Sequence, residues 1–347
     1  MNKPIELPAI WLGETPLVCI ARTEETHDCA TFELAAPTGQ RFDYCPGQFV
    51  SVGAEIDGKT HWRAYSISSS PNQPETLAIT VKRVDGGLVS NWLLDHWRVG
   101  MSLPALAPAG DFGLKKEEAL PPAVALFSAG SGITPMMSMS RWLLENEAGV
   151  EIHFFHSARS EGDFIFGREL LALAADYPQF RLHLFLTRPQ GGMPCHSGRL
   201  DAARLKALLP ALPGLRAWLC GQDGYMDAVS EFLRAAGVAD ECILRESFTP
   251  PVIEITDSAP RYALSVPAFG KTAEIAEGES LLDVMEREGL PIIGACRTGV
   301  CGSCKCKVVS GRVESSSSVP LTPDEVANGY VLACSSTARG DLEVALN

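Results

Sequence analysis

The sequence predicts a multidomain chain of three modules in series: an antiparallel β-barrel, an α/β domain on a parallel sheet, and a small α+β unit that gathers cysteines. Three observations carry this. The chain has 347 residues, enough for two or three domains at roughly 100–200 residues each. Its rhythm changes at Pro121-Pro122, from short β-rich runs broken by Gly, Pro and Asn to strands that alternate with helices. Beyond residue 260 lie five of the eleven cysteines.

In the first module, residues 1–120, strands are expected at Gln48–Ala54, Ala64–Ser69 and Thr76–Val84, with a turn at Pro71–Pro74 and one short helix at Ser90–Trp97. Closely spaced short strands suggest a closed antiparallel sheet. In residues 121–250, Ala123–Ala129 reads as a buried strand, followed by a Gly-rich turn and a helix over Pro135–Asn146. Val150–His156, Phe166–Ala175, Phe180–Thr187, Ala202–Leu209, Ala217–Cys220 and Gly224–Ala236 continue the alternation, which argues for parallel crossover units. Residues 251–260 read as a proline-rich linker, and 261–347 as the compact third module.

Composition narrows the function. Hydrophobic residues at 46% and charged residues at 20% exclude a disordered chain. The net charge of −13, spread as −5, −5 and −3 over 1–120, 121–259 and 260–347, argues against nucleic acid as a partner. No stretch reaches 18 apolar residues, so no membrane span is expected. The N-terminal stretch shows no apolar h-region, so a cytoplasmic protein is expected, in a compartment where clustered cysteines serve metals more often than disulfides. A monomer is expected.

The most specific motif is Cys296-Arg-Thr-Gly-Val-Cys301-Gly-Ser-Cys304, with Cys334 after a further 29 residues. The spacing C-x4-C-x2-C…C is that of a plant-type [2Fe–2S] site. Two bridged irons need four thiolates from one side, and Gly299 and Gly302 allow a loop to wrap them closely. Zinc sites pair one C-x2-C with another, and no second pair follows. Cys306 reads either as an alternative ligand or as a small buried hydrophobe. The module resembles a plant-type ferredoxin, which implies a β-grasp α+β fold, with Glu279–Glu288 as its crossing helix and Tyr330–Cys334 as the strand delivering the fourth ligand.

Arg63-Ala-Tyr65-Ser66 resembles the R-x-Y-[ST] motif of the ferredoxin–NAD(P)H reductase family. On a strand Arg63 and Tyr65 share a face and Ser66 takes the other. A guanidinium suits a pyrophosphate and a tyrosine suits a flat ring wall. Gly86-Gly87-Leu88-Val89-Ser90 opens the short helix and resembles the family's second flavin element, where helix N-terminal amides meet a pyrophosphate. Val81 and Lys82 stand where the family's strand runs beside the flavin. A pyrophosphate reader implies FAD rather than FMN.

Gly130-Ser131-Gly132-Ile133-Thr134-Pro135 follows a buried strand and opens a helix, the context of a dinucleotide loop. It departs from G-x-G-x-x-G and resembles the family's G-x-G-[IV]-T-P. Cys220-Gly221-Gln222-Asp223-Gly224-Tyr225-Met226 resembles the family's C-G-P-x-x-[YF]-M segment at the nicotinamide end, with Gln222 where that pattern has proline. Cys220 also reads as a small strand-closing residue. Phe248 reads either as a guard of the flavin face or as a core aromatic. Arg159 and Arg188 are candidate readers of a 2′-phosphate, so NADPH stays possible; the module order implies NADH.

The module order resembles the three-module reductases, among them the NADH oxidoreductase that serves hybrid-cluster protein and the reductase components of Rieske-type betaine and carnitine demethylases. Phenylacetyl-CoA epoxidase reductase shares the order more distantly. The resemblance implies transfer from NADH to FAD to a [2Fe–2S] cluster to a redox partner protein, such as a Rieske-type oxygenase or hybrid-cluster protein. Orientation rather than acid–base chemistry is then the protein's part, with Ser66 and Thr134 positioning flavin and nicotinamide. A reading of another class is a redox-responsive iron–sulfur and flavin binding module. His153 and His156, on opposite faces of one strand, read as structural.

Overall fold

The computed structural model describes residues 8–115, 118–147, 149–209, 214–249, 256 and 258–346. The chain divides into two compact units, residues 1–55 with 65–248, and residues 56–64 with 249–347. Residues 250–255 and 257, most of the expected linker, lie outside the described residues.

The barrel strands are β1 (Leu17–Thr26), β2 (Cys29–Ala35), β3 (Phe49–Ile56), β4 (Lys59–Ser66), β5 (Leu77–Lys82), β6 (Ser102–Leu103) and β7 (Ala105–Ala109), with α1 (Leu88–His96) between β5 and β6; of these, β4 as far as residue 64 is counted with the second unit and the rest with the first, apart from the last residue of β3. One antiparallel sheet runs β5-β2-β1-β6, and β3 pairs antiparallel with β7. Period-two patterning builds it: Ala30, Phe32 and Leu34 of β2 are fully buried while Thr31, Glu33 and Ala35 are not. The strand that carries Arg63, Tyr65 and Ser66 begins earlier than the sequence suggests. It runs Lys59–Ser66 and not Ala64–Ser69, because Asp57-Gly58, both at positive φ (51° and 74°), make the tight turn that starts it.

The α/β part holds β8 (Ala123–Ala129), α2 (Ile133–Asn146), β9 (Glu151–Ala158), α3 (Gly167–Asp176), β10 (Phe180–Leu186), β11 (His196–Ser197), α4 (Ala202–Leu208), β12 (Arg216–Cys220), α5 (Asp223–Ala235) and β13 (Ile243–Glu246). Every pair in the sheet β11-β10-β9-β8-β12-β13 is parallel. Helices cover both faces. Val124, Leu126 and Phe154 pack with Ile133, Met136 and Leu170, whereas Ala125, Phe127 and Phe155 pack with Met226, Val229 and Leu233. That is why β8 and β9 read as unbroken apolar runs. Strand order reverses between β8 and β12, and such a switch point opens a ligand crevice at the strands' carboxyl ends.

The second unit carries β14 (Arg261–Val266), β15 (Lys271–Ala276), α6 (Leu281–Arg287), β16 (Lys305–Ser310), β17 (Val313–Ser315), α7 (Pro323–Ala327), β18 (Tyr330–Leu332), β19 (Ser336–Ala338) and β20 (Leu342–Leu346). Its mixed sheet runs β15-β14-β20-β16-β18, with β14 and β20 parallel. Helix α6 is capped by Ser280, whose hydroxyl accepts the Asp283 N–H, and it buries Leu281, Leu282, Val284 and Met285 on that sheet's core. This is the crossing helix, shorter than Glu279–Glu288. Strand β18 also ends early. Cys334 sits on a 3-10 turn, Ala333–Ser335, where the Ala333 N–H bonds the Cys304 carbonyl at 3.0 Å.

Candidate functional site

The four motif cysteines meet on the loop between α6 and β16 and on the turn after β18. Their thiols contact one another in the order Cys301–Cys296–Cys334–Cys304. Thiol hydrogen bonds from these neighbours pull Cys296 and Cys304 down toward thiolate, and the same bonds push Cys301 and Cys334 up. Backbone donors add to this. Thr298 N–H points at Cys296 Sγ and Cys334 N–H at Cys304 Sγ, each at 3.5 Å. The thiols do not close on one point, and among the described residues no group of three or more His, Cys, Asp or Glu is placed to hold a metal ion. Four cysteines with amides directed at sulfur nonetheless fit the donor set of a two-iron cluster.

Two residues that the sequence reading passed over hold this loop. Ser303 donates to the Ile293 carbonyl at 2.9 Å and lies 3.1 Å from Cys301 Sγ. Arg297, at φ 59°, pairs with Asp283 at 3.2 Å and with Glu286, tying the loop to α6. Their position between ligands was the available clue. Cys306 is fully buried in the module's core and burial pushes its thiol up to about 12, so it packs as a hydrophobe.

In the first unit, Ser66 ends β4 buried, and its Oγ has no hydrogen-bond partner. A buried hydroxyl without a partner is costly, so it fits a ligand with a polar edge such as an isoalloxazine. Tyr65 and Arg63 alternate with it along β4, half-buried. Val81 is buried in the barrel and the Lys82 ammonium is held by Asp28 at 2.6 and 2.7 Å. What both offer a flavin is therefore main chain, on the edge strand of its sheet. At the start of α1, Gly86 takes φ 66° with open space around its Cα. A Cβ on Gly87 would fall 2.6 Å from Ser90 Oγ, so glycine lets Ser90 fold back over the helix start.

The turn Gly130–Pro135 lies at the switch point. Gly130 has φ 55° and open space before it. A Cβ on Gly132 would stand 2.2 Å from the Cys220 carbonyl oxygen and 2.8 Å from Gly221 N, so only glycine lets the turn lie on the end of β12. Thr134 is buried and donates to the Ser131 carbonyl at 3.0 Å, which fixes the turn, and Pro135 is buried within the first turn of α2. Cys220 is fully buried and burial raises its thiol well above the usual range. Met226 is core beneath this end of the sheet, not a surface of the crevice. Phe248 is 44% exposed, which removes its reading as a core aromatic. Arg159 and Arg188 are exposed at the adjoining ends of β9 and β10, where the Arg188 N–H bonds the Arg159 carbonyl at 2.7 Å.

Comparison with known proteins matches this division. The chain matches the models described as oxidoreductase FAD-binding domain over residues 16–113, oxidoreductase NAD-binding domain over 126–231 and 2Fe-2S iron-sulfur cluster binding domain over 267–339. It is 36% identical to the glycine betaine monooxygenase reductase subunit of Pseudomonas aeruginosa over 96% of both chains. The chain belongs to the three-module ferredoxin–NAD(P)H reductase family. The reductase is also 35% identical to NADH oxidoreductase HCR of Escherichia coli, over 93% of this chain and 95% of that one. A solved phthalate dioxygenase reductase shares the fold, with a TM-score of 0.64 and 23% identity over 96% of this chain and 98% of its own. FAD, NADH and a [2Fe–2S] cluster are the reductase's cofactors. It is an oxidoreductase that moves electrons from NADH by way of FAD and the cluster to a separate partner. Among the described residues no helix is long and apolar enough to cross a membrane.

Proposed function

We propose that this reductase serves the terminal component of a Rieske-type oxygenase or demethylase. The observation that carries the reading is similarity along the full length, all three modules included, to the reductase subunit of a glycine betaine monooxygenase. In this reading Arg63, Tyr65 and Ser66, the main chain of Val81 and Lys82, and the helix start at Gly87 and Ser90 hold FAD. Gly130, Gly132, Thr134 and Pro135 hold the NADH pyrophosphate. Cys220 and Gly221, backed by Met226, border the nicotinamide, and Phe248 guards the flavin face. Cys296, Cys301, Cys304 and Cys334 ligate the cluster. FAD supplies the chemistry that splits a hydride's electron pair into single electrons. The chain's own part is geometric: Ser66 presents a hydroxyl at the flavin edge, and Thr134 keeps the Gly130–Gly132 turn fixed against β12.

The module boundaries we infer are 1–120, 121–250 and 261–347, with 251–260 as linker. The chain acts as a monomer in a reducing cytoplasm; the seven cysteines that are not cluster ligands form no disulfide, which fits that compartment. Pull-down under reducing, anaerobic conditions, followed by reconstituted turnover, tests the partner. NADH-dependent demethylation or hydroxylation by a captured Rieske protein is the expected result. Its failure alongside NADH-dependent reduction of a captured hybrid-cluster protein would favour the second reading, which the similarity to NADH oxidoreductase HCR supports. Bound flavin and iron without any NADH-dependent reduction of a dye would favour a redox-responsive binding module instead.

A further inference from the structure

Three residues of α2, to which no cofactor motif assigns a part, reach from the α/β domain to the loop that follows β4. Ser138 Oγ donates to the Ser69 carbonyl at 2.7 Å. Arg141 Nη1 donates to the Ser68 carbonyl at 2.5 Å. Glu145 Oε2 accepts from Ser70 Oγ at 2.5 Å and from Asn72 Nδ2 at 2.8 Å. Positions 138, 141 and 145 are three and four apart and so share one helix face. The Arg141 guanidinium is itself fixed. Glu169 of α3 takes its Nε at 2.8 Å and Nη2 at 2.6 Å in a two-pronged pair, and the Phe166 ring lies 5.2 Å from its Cζ.

The same loop is held as firmly by the barrel. Ser69 Oγ bonds Tyr44 OH and accepts the Ala78 N–H, both at 2.9 Å. Ser68 N–H donates to the Ala78 carbonyl at 2.8 Å, and Ser68 Oγ bonds Thr80 Oγ1 at 3.0 Å. An unbroken hydrogen-bonded path therefore leads from β5 and Tyr44, through Ser68–Asn72, to α2 and α3. Its two ends matter. Ser66, with its unpartnered hydroxyl, lies two residues before Ser68 in the chain. Thr134 lies about 10 Å along the helix from Arg141, at 1.5 Å per residue.

We propose that Arg141, supported by Ser138 and Glu145, is a positioning residue for hydride transfer: it locks the loop after the flavin strand to the helix that opens at the dinucleotide turn. The inference rests on reading Tyr65-Ser66 as the flavin strand and Gly130–Thr134 as the dinucleotide turn. Arg141 touches neither cofactor and acts through Ser68. Reacting atoms must come within roughly 3–3.5 Å, and an error of about 1 Å can cost on the order of a hundredfold in rate.

The test compares Arg141→Ala, Arg141→Lys and Ser138→Ala in the full chain. Deuterium exchange of the 66–72 amides without added NADH reads the lock itself, and rapid mixing with NADH reads its consequence. Arg141→Ala is expected to speed exchange in 66–72 and lower the limiting rate of flavin reduction about tenfold or more. It should also weaken the long-wavelength absorbance of the nicotinamide–flavin pair, with half-saturation by NADH nearly unchanged. Arg141→Lys, which keeps a donor for the Ser68 carbonyl, should recover part of each. Ser138→Ala should show the same pattern more weakly, and carries the test if Arg141→Ala does not fold. Unchanged exchange in 66–72, or faster exchange with parental rate and absorbance, would overturn the proposal. Parental rates in Ser66→Ala and Gly132→Ala together would instead overturn the cofactor reading beneath it.

Discussion

The contact between Gly132 and the end of β12 makes a quantitative prediction for Gly132→Ala. The new Cβ would stand 2.2 Å from the Cys220 carbonyl oxygen, 2.4 Å from its carbon and 2.8 Å from Gly221 N. All three are backbone atoms, so no side chain can swing aside. Cys220 is fully buried and paired with Ser128 on one side and Glu246 on the other. Relief therefore needs the turn to lift by roughly 1 Å from a close-packed sheet end. Overpacking of this kind costs about 1–3 kcal/mol, which for a domain of this size lowers the melting temperature by roughly 2–12 °C. The displaced turn carries Thr134, so flavin reduction by NADH should slow by one to two orders of magnitude, about the cost of a 1 Å misplacement. Gly130→Ala is the control: its Cβ meets nothing within 4 Å, and its cost is that of φ 55° for alanine, about 1–2 kcal/mol. Because that Cβ enters open space and not the end of β12, as the Gly132 Cβ does, NADH half-saturation should rise more than the limiting rate falls if Gly130 borders the pyrophosphate as proposed. Thermal melts and rapid mixing measure both variants. A Gly132→Ala protein that melts and reduces its flavin like the parent would refute the reasoning.

Further outcomes are expected. Cys301→Ser should abolish the cluster's visible absorbance and transfer to the partner while sparing NADH-to-flavin reduction; loss of flavin reduction in that variant would break the modular scheme. Ser66→Ala should slow flavin reduction by up to about tenfold, the worth of one neutral hydrogen bond of about 0.5–1.5 kcal/mol, with the melting temperature of the FAD-free protein unchanged or raised, since there the hydroxyl it removes is buried without a partner. Cys306→Ala should keep the full cluster spectrum and lose about 1 kcal/mol of stability to the small cavity; a bleached spectrum would restore the ligand reading. Acid should destabilise the α/β domain in a specific window. Burial holds His183 down to about 4 and His156 to about 3 and also lowers His153, beside which Glu151 works in the opposite direction. These histidines bind protons in the unfolded chain first, so stability should fall from about pH 6.5 toward pH 4, by a few kcal/mol in all. A His183→Phe variant should flatten that slope, and an unchanged pH profile would count against the assignment.

How much was legible in the sequence follows from how local each constraint is. The meeting of the four motif cysteines was legible because Cys296, Cys301 and Cys304 are spaced along one loop, and the structure brings Cys334, from the turn after β18, against Cys296 and Cys304. The parallel sheet was legible because β8 and β9 are buried on both faces and so carry no alternation. The start of β4 was legible and was missed: Asp57-Gly58 is a two-residue hairpin signal, and both residues take positive φ. The resemblance implies that the strand of Val81 and Lys82 runs beside a flavin, but it says nothing of the Lys82 ammonium, which is bound to Asp28. Asp28 sits 54 residues earlier, on the neighbouring strand's turn, and no pattern in the sequence links them.

Arg141 shows the same limit more sharply. In sequence it is a lone arginine on an apolar helix, where a solvated side chain is the ordinary expectation. Its meaning comes from three segments far apart in the chain: the loop after β4, α2, and Glu169 on α3. Motifs record residues that touch a cofactor, since those must keep their chemistry at fixed spacing. A residue that sets the distance between two cofactor sites has no such spacing to keep, because it acts on backbone carbonyls that any sequence supplies. In a chain built from separable modules, the residues that decide how well the modules cooperate are therefore the least visible before the fold is known. Arg141→Ala and Gly132→Ala should both slow flavin reduction, and for different reasons. The arginine variant should loosen 66–72 and leave β12 protected, whereas the glycine variant should loosen the end of β12 and leave 66–72 protected. Deuterium exchange over the two segments separates these outcomes, and coincident loosening in both variants would mean that the two contacts are one structural unit rather than two adjustable constraints.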